Sequence, residues 1–364
     1  MKRKAIYRPG LGGVLINDSY DPEAEVLIPN RVQPNLPAPF PYGNGEDIDT
    51  VMQGVDYDRI QKIVNAAFDS DSDAVKRQTR TVLVVYKDQI IAEKYAAPFD
   101  KNTKVLGWSM TKSLQSTMLG ILRDRGFDIM APAPIAAWAE DDRNQITTHN
   151  LLQMNSGLEW VEDYNTISDV TQMLFLDSDM SQTQINKPLA YAPNTHWNYS
   201  SGTTNLLSYI IRNELDSHQE YLDFPYASFI DKIGMYSMLI EADLSGNYVG
   251  SSYGWATTRD WAKFGLLYLH RGNWNGEQIF DPSWVDYVVS PTPTSDGTYG
   301  GQFWLNAGGG YDRLPKNMFS CNGYQGQRVA IFPDQDLVVV RTGLGDEGVF
   351  DFHSFYADIL DALP

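Results

Sequence analysis

Two strand–turn–strand patterns stand at opposite ends of this chain, and they limit how it can fold. Residues 80–86 read Arg-Thr-Val-Leu-Val-Val-Tyr, turn through Lys87-Asp88 and continue as a second apolar run over 89–95. Residues 327–332 and 337–341 flank Pro333-Asp334-Gln335-Asp336, a second hairpin pattern. Between about 109 and 249 strand signals are few, and apolar residues recur at helical spacing. The pattern predicts an α/β (α+β) chain: an antiparallel sheet split in sequence, flanked by helices, with an inserted all-helical lobe. Helices are expected over 57–68, where Ile60, Ile63, Val64 and Ala67 form a stripe, over 256–267, and over 352–363. Residues 1–45 are rich in proline and glycine and read as an extended arm on the surface. The folded domain is then 46–364, with an α/β lobe from about 46–108 and 250–364 and a helical lobe over about 109–249.

Three stretches carry chemistry. The first is Gly107-Trp108-Ser109-Met110-Thr111-Lys112-Ser113, followed by Leu114, Met118, Ile121 and Leu122 at helical spacing and by Gly126 as a stop. Ser109 is expected in the first turn of that helix, with Lys112 on the same face. A serine hydroxyl needs an adjacent base, and a lysine in a dry site loses pKa and can serve. Ser-x-x-Lys alone is weak, with roughly one or two copies expected by chance at this length. Taken by itself, a capping serine beside a solvated lysine is the commoner outcome.

The second stretch is Tyr199-Ser200-Ser201-Gly202, in a polar turn before a helix. Tyr199 is a candidate general acid/base if the Lys112 charge lowers its pKa. A buried tyrosine with a satisfied hydroxyl is the ordinary alternative. The third is Cys321-Asn322-Gly323-Tyr324, leading into the strand at 327. Its glycine lets a substrate approach the backbone, and an N–H there can pair with the Ser109 N–H as an oxyanion hole. Aromatic wall candidates are Trp304, Trp160 and Tyr164, though core packing is the usual fate of a lone tryptophan.

In this order the motifs resemble the serine β-lactamase/penicillin-binding-protein superfamily, on its class C-like side. The resemblance runs over about 75–345 and includes Leu151-Leu152-Gln153-Met154-Asn155-Ser156-Gly157-Leu158 and the helix from Ala256 to Gly265. Tyr-Ser-Ser-Gly and Gly-Tyr-Gln-Gly-Gln look most like the branch holding β-lactamase-fold esterases and 6-aminohexanoate-dimer hydrolases. The resemblance implies a β-lactamase/transpeptidase-like fold. It also implies Ser109 as acylated nucleophile, Lys112 as its base partner and Tyr199 as general acid/base, with the backbone of Ser109 and Tyr324 holding the oxyanion. Ser201, Asn322 and Gly323 join the three aromatics as expected substrate contacts. Two departures matter. Ser201 stands where the family has Asn, and Cys321 stands where a cation usually helps hold a substrate carboxylate. Small esters and linear amides are therefore favoured. Class C-like β-lactamase or D-alanyl-D-alanine carboxypeptidase activity is the alternative within enzymes. A catalytically silent ligand-binding member is the alternative outside them.

A net charge of −18 argues against nucleic acid and anionic membrane surfaces as partners. The expected partner is a small-molecule substrate. No cofactor or metal is called for: the five histidines show no ligand spacing. No Gly-x-Ser-x-Gly elbow occurs, which counts against an α/β-hydrolase. Cys321 is the single cysteine, so no intramolecular disulfide forms. Relatives with a Pro/Gly-rich arm often carry an export segment. The resemblance therefore implies an extracytoplasmic, periplasmic enzyme whose leader is absent from this sequence, with the cytoplasm as the alternative.

Overall fold

The computed structural model describes residues 4–16, 21, 23, 26–43, 45, 51–345 and 348–364. Its strands are β1 Lys4–Arg8, β2 Gly12–Ile16, β3 Thr79–Tyr86, β4 Gln89–Tyr95, β5 Val105–Leu106, β6 Leu239–Ile240 and β7 Gly254–Ala256, then β8 Asn273–Trp274, β9 Glu277–Gln278, β10 Trp304–Leu305, β11 Phe319–Gly323, β12 Gln327–Phe332 and β13 Leu337–Gly343. Its helices are α1 Tyr57–Ala66, α2 Thr111–Asp124, α3 Thr148–Leu152, α4 Asp169–Leu176 and α5 Met180–Ile185, then α6 Ser201–Asn213, α7 His218–Pro225, α8 Thr258–Leu269, α9 Ser283–Val288 and α10 Phe352–Leu360.

The main sheet is antiparallel, in the order β10-β11-β12-β13-β3-β4. The two ends of the chain meet in it, where β13 pairs with β3 from Leu337↔Tyr86 to Thr342↔Thr81. Successive strand side chains point to opposite faces. Leu83, Val85, Val338 and Val340 therefore enter one core with α2, α6 and α8. Val82, Val84, Leu337 and Val339 enter another with Ile60 and Val64 of α1 and Phe355 and Ile359 of α10. Both faces are covered, so the central strands read as unbroken apolar runs rather than as alternation.

The N-terminal segment is more structured than an extended arm. Gly10 and Gly12 take φ of 76° and 73°, and the chain turns between β1 and β2 into a hairpin. Leu11 at its tip is buried in the larger core. Arg8 is buried too, and its guanidinium donates to the carbonyls of Ala242 and Asp243. Farther along, the Arg31 guanidinium lies 4.1 Å over the Tyr226 ring and donates to Asp231. The described part of the segment lies on the surface and is stitched there to residues 226–243.

Candidate active site

Ser109 lies in a single 3₁₀ turn, Trp108–Met110, just ahead of α2 rather than in its first α-turn. The break comes at Trp108, whose φ is 48°. A non-glycine residue there stores roughly 1–3 kcal/mol of strain and needs neighbours to hold it. Thr111 supplies part of the hold. Its Oγ1 donates to the Trp108 carbonyl at 2.7 Å and accepts the Gly254 N–H at 2.9 Å. The Gly107 N–H donates to the Gly254 carbonyl at 2.8 Å, so the turn is pinned to β7.

Lys112, three residues on, is 1% exposed. Its Nζ lies 3.1 Å from Ser109 Oγ, 2.9 Å from Ser201 Oγ and 2.8 Å from the Ser251 carbonyl oxygen. Helix α6 organises two of these contacts. It presents Ser201 in its first turn, and one turn later Asn205 Oδ1 accepts the Ser251 N–H at 3.0 Å. Burial pulls the Lys112 ammonium down to about 8, against an opposing pull from Glu162.

Glu162 was not legible in the sequence, although Trp160 and Tyr164 on either side were. Its Oε1 accepts from Ser201 Oγ at 2.5 Å and from the Tyr164 hydroxyl at 3.2 Å. Its Oε2 accepts the Ser201 N–H at 2.8 Å and Trp160 Nε1 at 2.5 Å. Two expected substrate contacts are thereby reassigned. Ser201 is fully buried and its hydroxyl joins Lys112 to Glu162. Trp160 is buried behind Glu162, holding the carboxylate, and does not line the pocket.

Tyr199 presents its ring face to Lys112, with Nζ 5.0 Å from the centroid. The sequence reading expected the lysine charge to lower the phenol. Burial instead raises it well above its ordinary value, Tyr299 and Glu162 add to the rise, and the Ser109 hydroxyl and Arg328 work against it. Tyr199 thus stays protonated while Lys112 is the group with an accessible neutral form.

These groups open on a cavity of about 490 Å³. Ser109, Tyr164, Tyr199, Trp304, Asn322, Gly323 and Tyr324 all line it. Trp304 lies 5.3 Å from Tyr199, tilted, and Tyr164 stacks on Tyr324 at 4.7 Å. Asn322 Oδ1 is buried without a hydrogen-bond partner among the described residues.

Cys321 does not stand in the pocket. It alternates with Asn322 along β11, so its side chain enters the larger core, where burial pushes the thiol up to about 12. The cation on the wall is Arg328, directly across from Asn322 in the β11–β12 register. Arg341 is fully buried and donates to the carbonyls of Arg77, Gly326 and Gly345 instead.

Among the described residues no group of three or more His, Cys, Asp or Glu side chains is placed to hold a metal. No described helix is long and apolar enough to cross a membrane. A family model described as Beta-lactamase matches residues 64–353. No curated protein matches. Among solved structures, a Bacillus anthracis protein described as a 6-aminohexanoate-dimer hydrolase superimposes with a TM-score of 0.70 at 18% identity, over 93% of this chain and 92% of its own. A family VIII carboxylesterase does so at 0.62 and 13%, over 87% and 99%. A D-stereospecific amidohydrolase from Streptomyces sp. does so at 0.61 and 15%, over 85% and 98%. At such identities the likeness is one of fold.

Proposed function

The chain belongs to the β-lactamase family, within the serine β-lactamase and penicillin-binding-protein superfamily, and we propose that it is a serine hydrolase cleaving small esters or linear amides through an acyl group carried on Ser109. The observation that carries this reading is the contact between Lys112 and Ser109. A buried amine with its pKa brought down to about 8 lies 3.1 Å from a hydroxyl that lines the pocket. In that state it takes the Ser109 proton as the hydroxyl attacks a carbonyl carbon. Tyr199, held protonated, hands a proton to the leaving oxygen or nitrogen. The Ser109 and Tyr324 N–H groups receive the oxyanion, which in such sites is worth about 2.7–4 kcal/mol per donor. The Tyr199–Lys112 pair then activates the water that releases the acyl group. The fold is compatible with that range, since proteins described as a family VIII carboxylesterase and a D-stereospecific amidohydrolase share it, as does one described as a β-lactamase.

A second reading, a peptidase or β-lactamase acting on carboxylate-bearing substrates, is favoured by one observation, the Arg328 guanidinium on the pocket wall. The test of the main reading is direct. A fluorophosphonate probe should add to Ser109, as located by peptide mass mapping, and Ser109→Ala should abolish both the adduct and turnover of p-nitrophenyl esters. An unlabelled Ser109, or a variant keeping a tenth of kcat, would sink the acyl-enzyme reading in favour of a ligand-binding protein.

A further inference from the structure

Lys112 Nζ meets Ser109 Oγ, Ser201 Oγ and the Ser251 carbonyl oxygen. Two of these can only accept from it. The Ser251 oxygen is a carbonyl. Ser201 has a single O–H, and that proton is given to Glu162 Oε1 at 2.5 Å, so only lone pairs face the lysine. A neutral amine has two N–H groups and one lone pair. With both N–H groups drawn to Ser251 and Ser201, the lone pair is left for the hydroxyl proton of Ser109. We propose that Glu162 is a positioning residue: by holding the Ser201 proton it turns the lone pair of neutral Lys112 toward Ser109. This rests on the Ser109–Lys112 reading above and adds a residue that reading does not need.

Glu162 cannot easily be replaced in this role by its amide. The two groups meeting Oε2, the Ser201 N–H and Trp160 Nε1–H, are donors only. A glutamine must turn its carbonyl oxygen to them. Its NH₂ then faces Ser201 Oγ, which must accept from it. The Ser201 proton is released toward Lys112 and competes with Ser109 for the lone pair. Glu162→Gln therefore reverses the polarity of the chain rather than merely removing a charge.

The charge matters separately. Facing Lys112 are the Tyr199 ring from the turn before α6 and Glu162 from the loop after α3, which holds Tyr164; Tyr299 stands beyond Tyr199, Arg328 on β12 acts on Tyr199, and Cys321 on β11 acts on Tyr299. Burial raises the three phenols and the thiol, so all four stay neutral near pH 8. Glu162 is the anion that keeps the Lys112 pKa from falling further. Without its charge, Lys112 becomes neutral at lower pH.

The experiment is a cycle of wild type, Glu162→Gln, Ser201→Ala and the double variant, with Glu162→Asp as the charge-keeping control. kcat/KM is followed against pH on a p-nitrophenyl ester. Fluorophosphonate titration of Ser109 normalises each rate to the folded, competent fraction. In Glu162→Gln the plateau should fall on the order of 10²-fold while the acidic limb moves to lower pH. Glu162→Asp should keep the limb in place. The double variant should be no worse than Glu162→Gln, since without the Ser201 hydroxyl no proton competes for the lone pair. An unmoved limb in Glu162→Gln, or losses that multiply in the double variant, would overturn the proposal. Absence of any Ser109 adduct in the wild type would instead overturn the hydrolase reading beneath it.

Discussion

Gly323 of β11 lies so close to Gly107, two residues before Ser109, that a Cβ on it would stand 2.1 Å from the Gly107 carbonyl oxygen. Real side-chain atoms do not sit that near a backbone oxygen, so any larger residue must push the strand and the nucleophile turn apart. The N–H groups proposed to hold the oxyanion follow directly, Ser109 two residues after Gly107 and Tyr324 one after Gly323. Gly323→Ala should therefore lower kcat by about 10²-fold, the effect of misplacing reacting groups by about an ångström. Steady-state kinetics beside thermal denaturation checks this. A large drop in melting temperature with an unchanged kcat per folded molecule would show that the contact serves the fold alone.

The Lys112 amine gives a pH dependence with a definite sign. Its folded pKa, about 8, lies below the ordinary 10.5, so the unfolded chain binds its proton more tightly. Below pH 8 folding carries the full penalty of that mismatch; the penalty fades as pH rises from 8 to 10.5. Between roughly pH 7 and pH 9.5 the stability held against urea should rise by about 2 kcal/mol from this group. Subtracting a Lys112→Met variant measured alongside isolates it. The ester kcat/KM should climb over the same region, with an acidic limb near pH 8 set by the free enzyme. A difference in stability that stays flat with pH would count against a buried, titrating lysine.

Cys321 should be inert and intolerant of charge. The thiol is 1% exposed and pushed up to about 12, so it should resist iodoacetamide at pH 8 until the protein is unfolded. Placing lysine there would drive an ammonium into the apolar core instead of the pocket. Cys321→Lys should lower the melting temperature by many degrees with no gain for carboxylate-bearing substrates, whereas Cys321→Ser should keep most activity. Rapid native labelling, or a Cys321→Lys protein with improved nitrocefin hydrolysis, would contradict the placement.

What the sequence made legible follows from how far apart the interacting groups lie. Ser109 and Lys112 are three residues apart, so local spacing allows their meeting, and the order of the motifs downstream is what favoured it over a capping serine beside a solvated lysine. The split sheet was readable because Val82–Val85 and Val338–Val340 are buried on both faces and leave long apolar runs. Glu162 was not, because what it does depends on meeting Ser201, 39 residues away. Cys321 was misplaced for a different reason. Strand alternation separates Cys321 from Asn322, but which of the two faces the pocket is set by the helices packed beneath. The hairpin at Lys4–Ile16 was hidden by a proline-rich neighbourhood, although Gly10 and Gly12 mark its turn.

Arg328 is the one cation among the described residues lining the pocket, and on the proposed hydrolase reading substrate choice should turn on it. It stands opposite Asn322 in the strand register, and its guanidinium carbon lies 4.6 Å from the centroid of the Phe352 ring, which stiffens it. A carboxylate accepting from such a group gains a charge-assisted hydrogen bond of about 1.5–3 kcal/mol. That is roughly a ten- to hundred-fold factor in kcat/KM. The same pocket carries an anion, Glu162, and its aromatic walls, Tyr164, Tyr199, Trp304 and Tyr324, supply no second cation, so a carboxylate meets repulsion as well as the Arg328 attraction. Short neutral p-nitrophenyl esters should therefore outrun nitrocefin in the unaltered protein. Arg328→Ala should cost nitrocefin or a carboxylate-ended linear amide ten- to hundred-fold, and the neutral esters less than about threefold. The measurement is the ratio of the two kcat/KM values before and after the substitution. If the ratio does not move, Arg328 serves the Phe352 side of the sheet alone, and carboxylate-bearing substrates are held by the Asn322 amide and backbone or not at all.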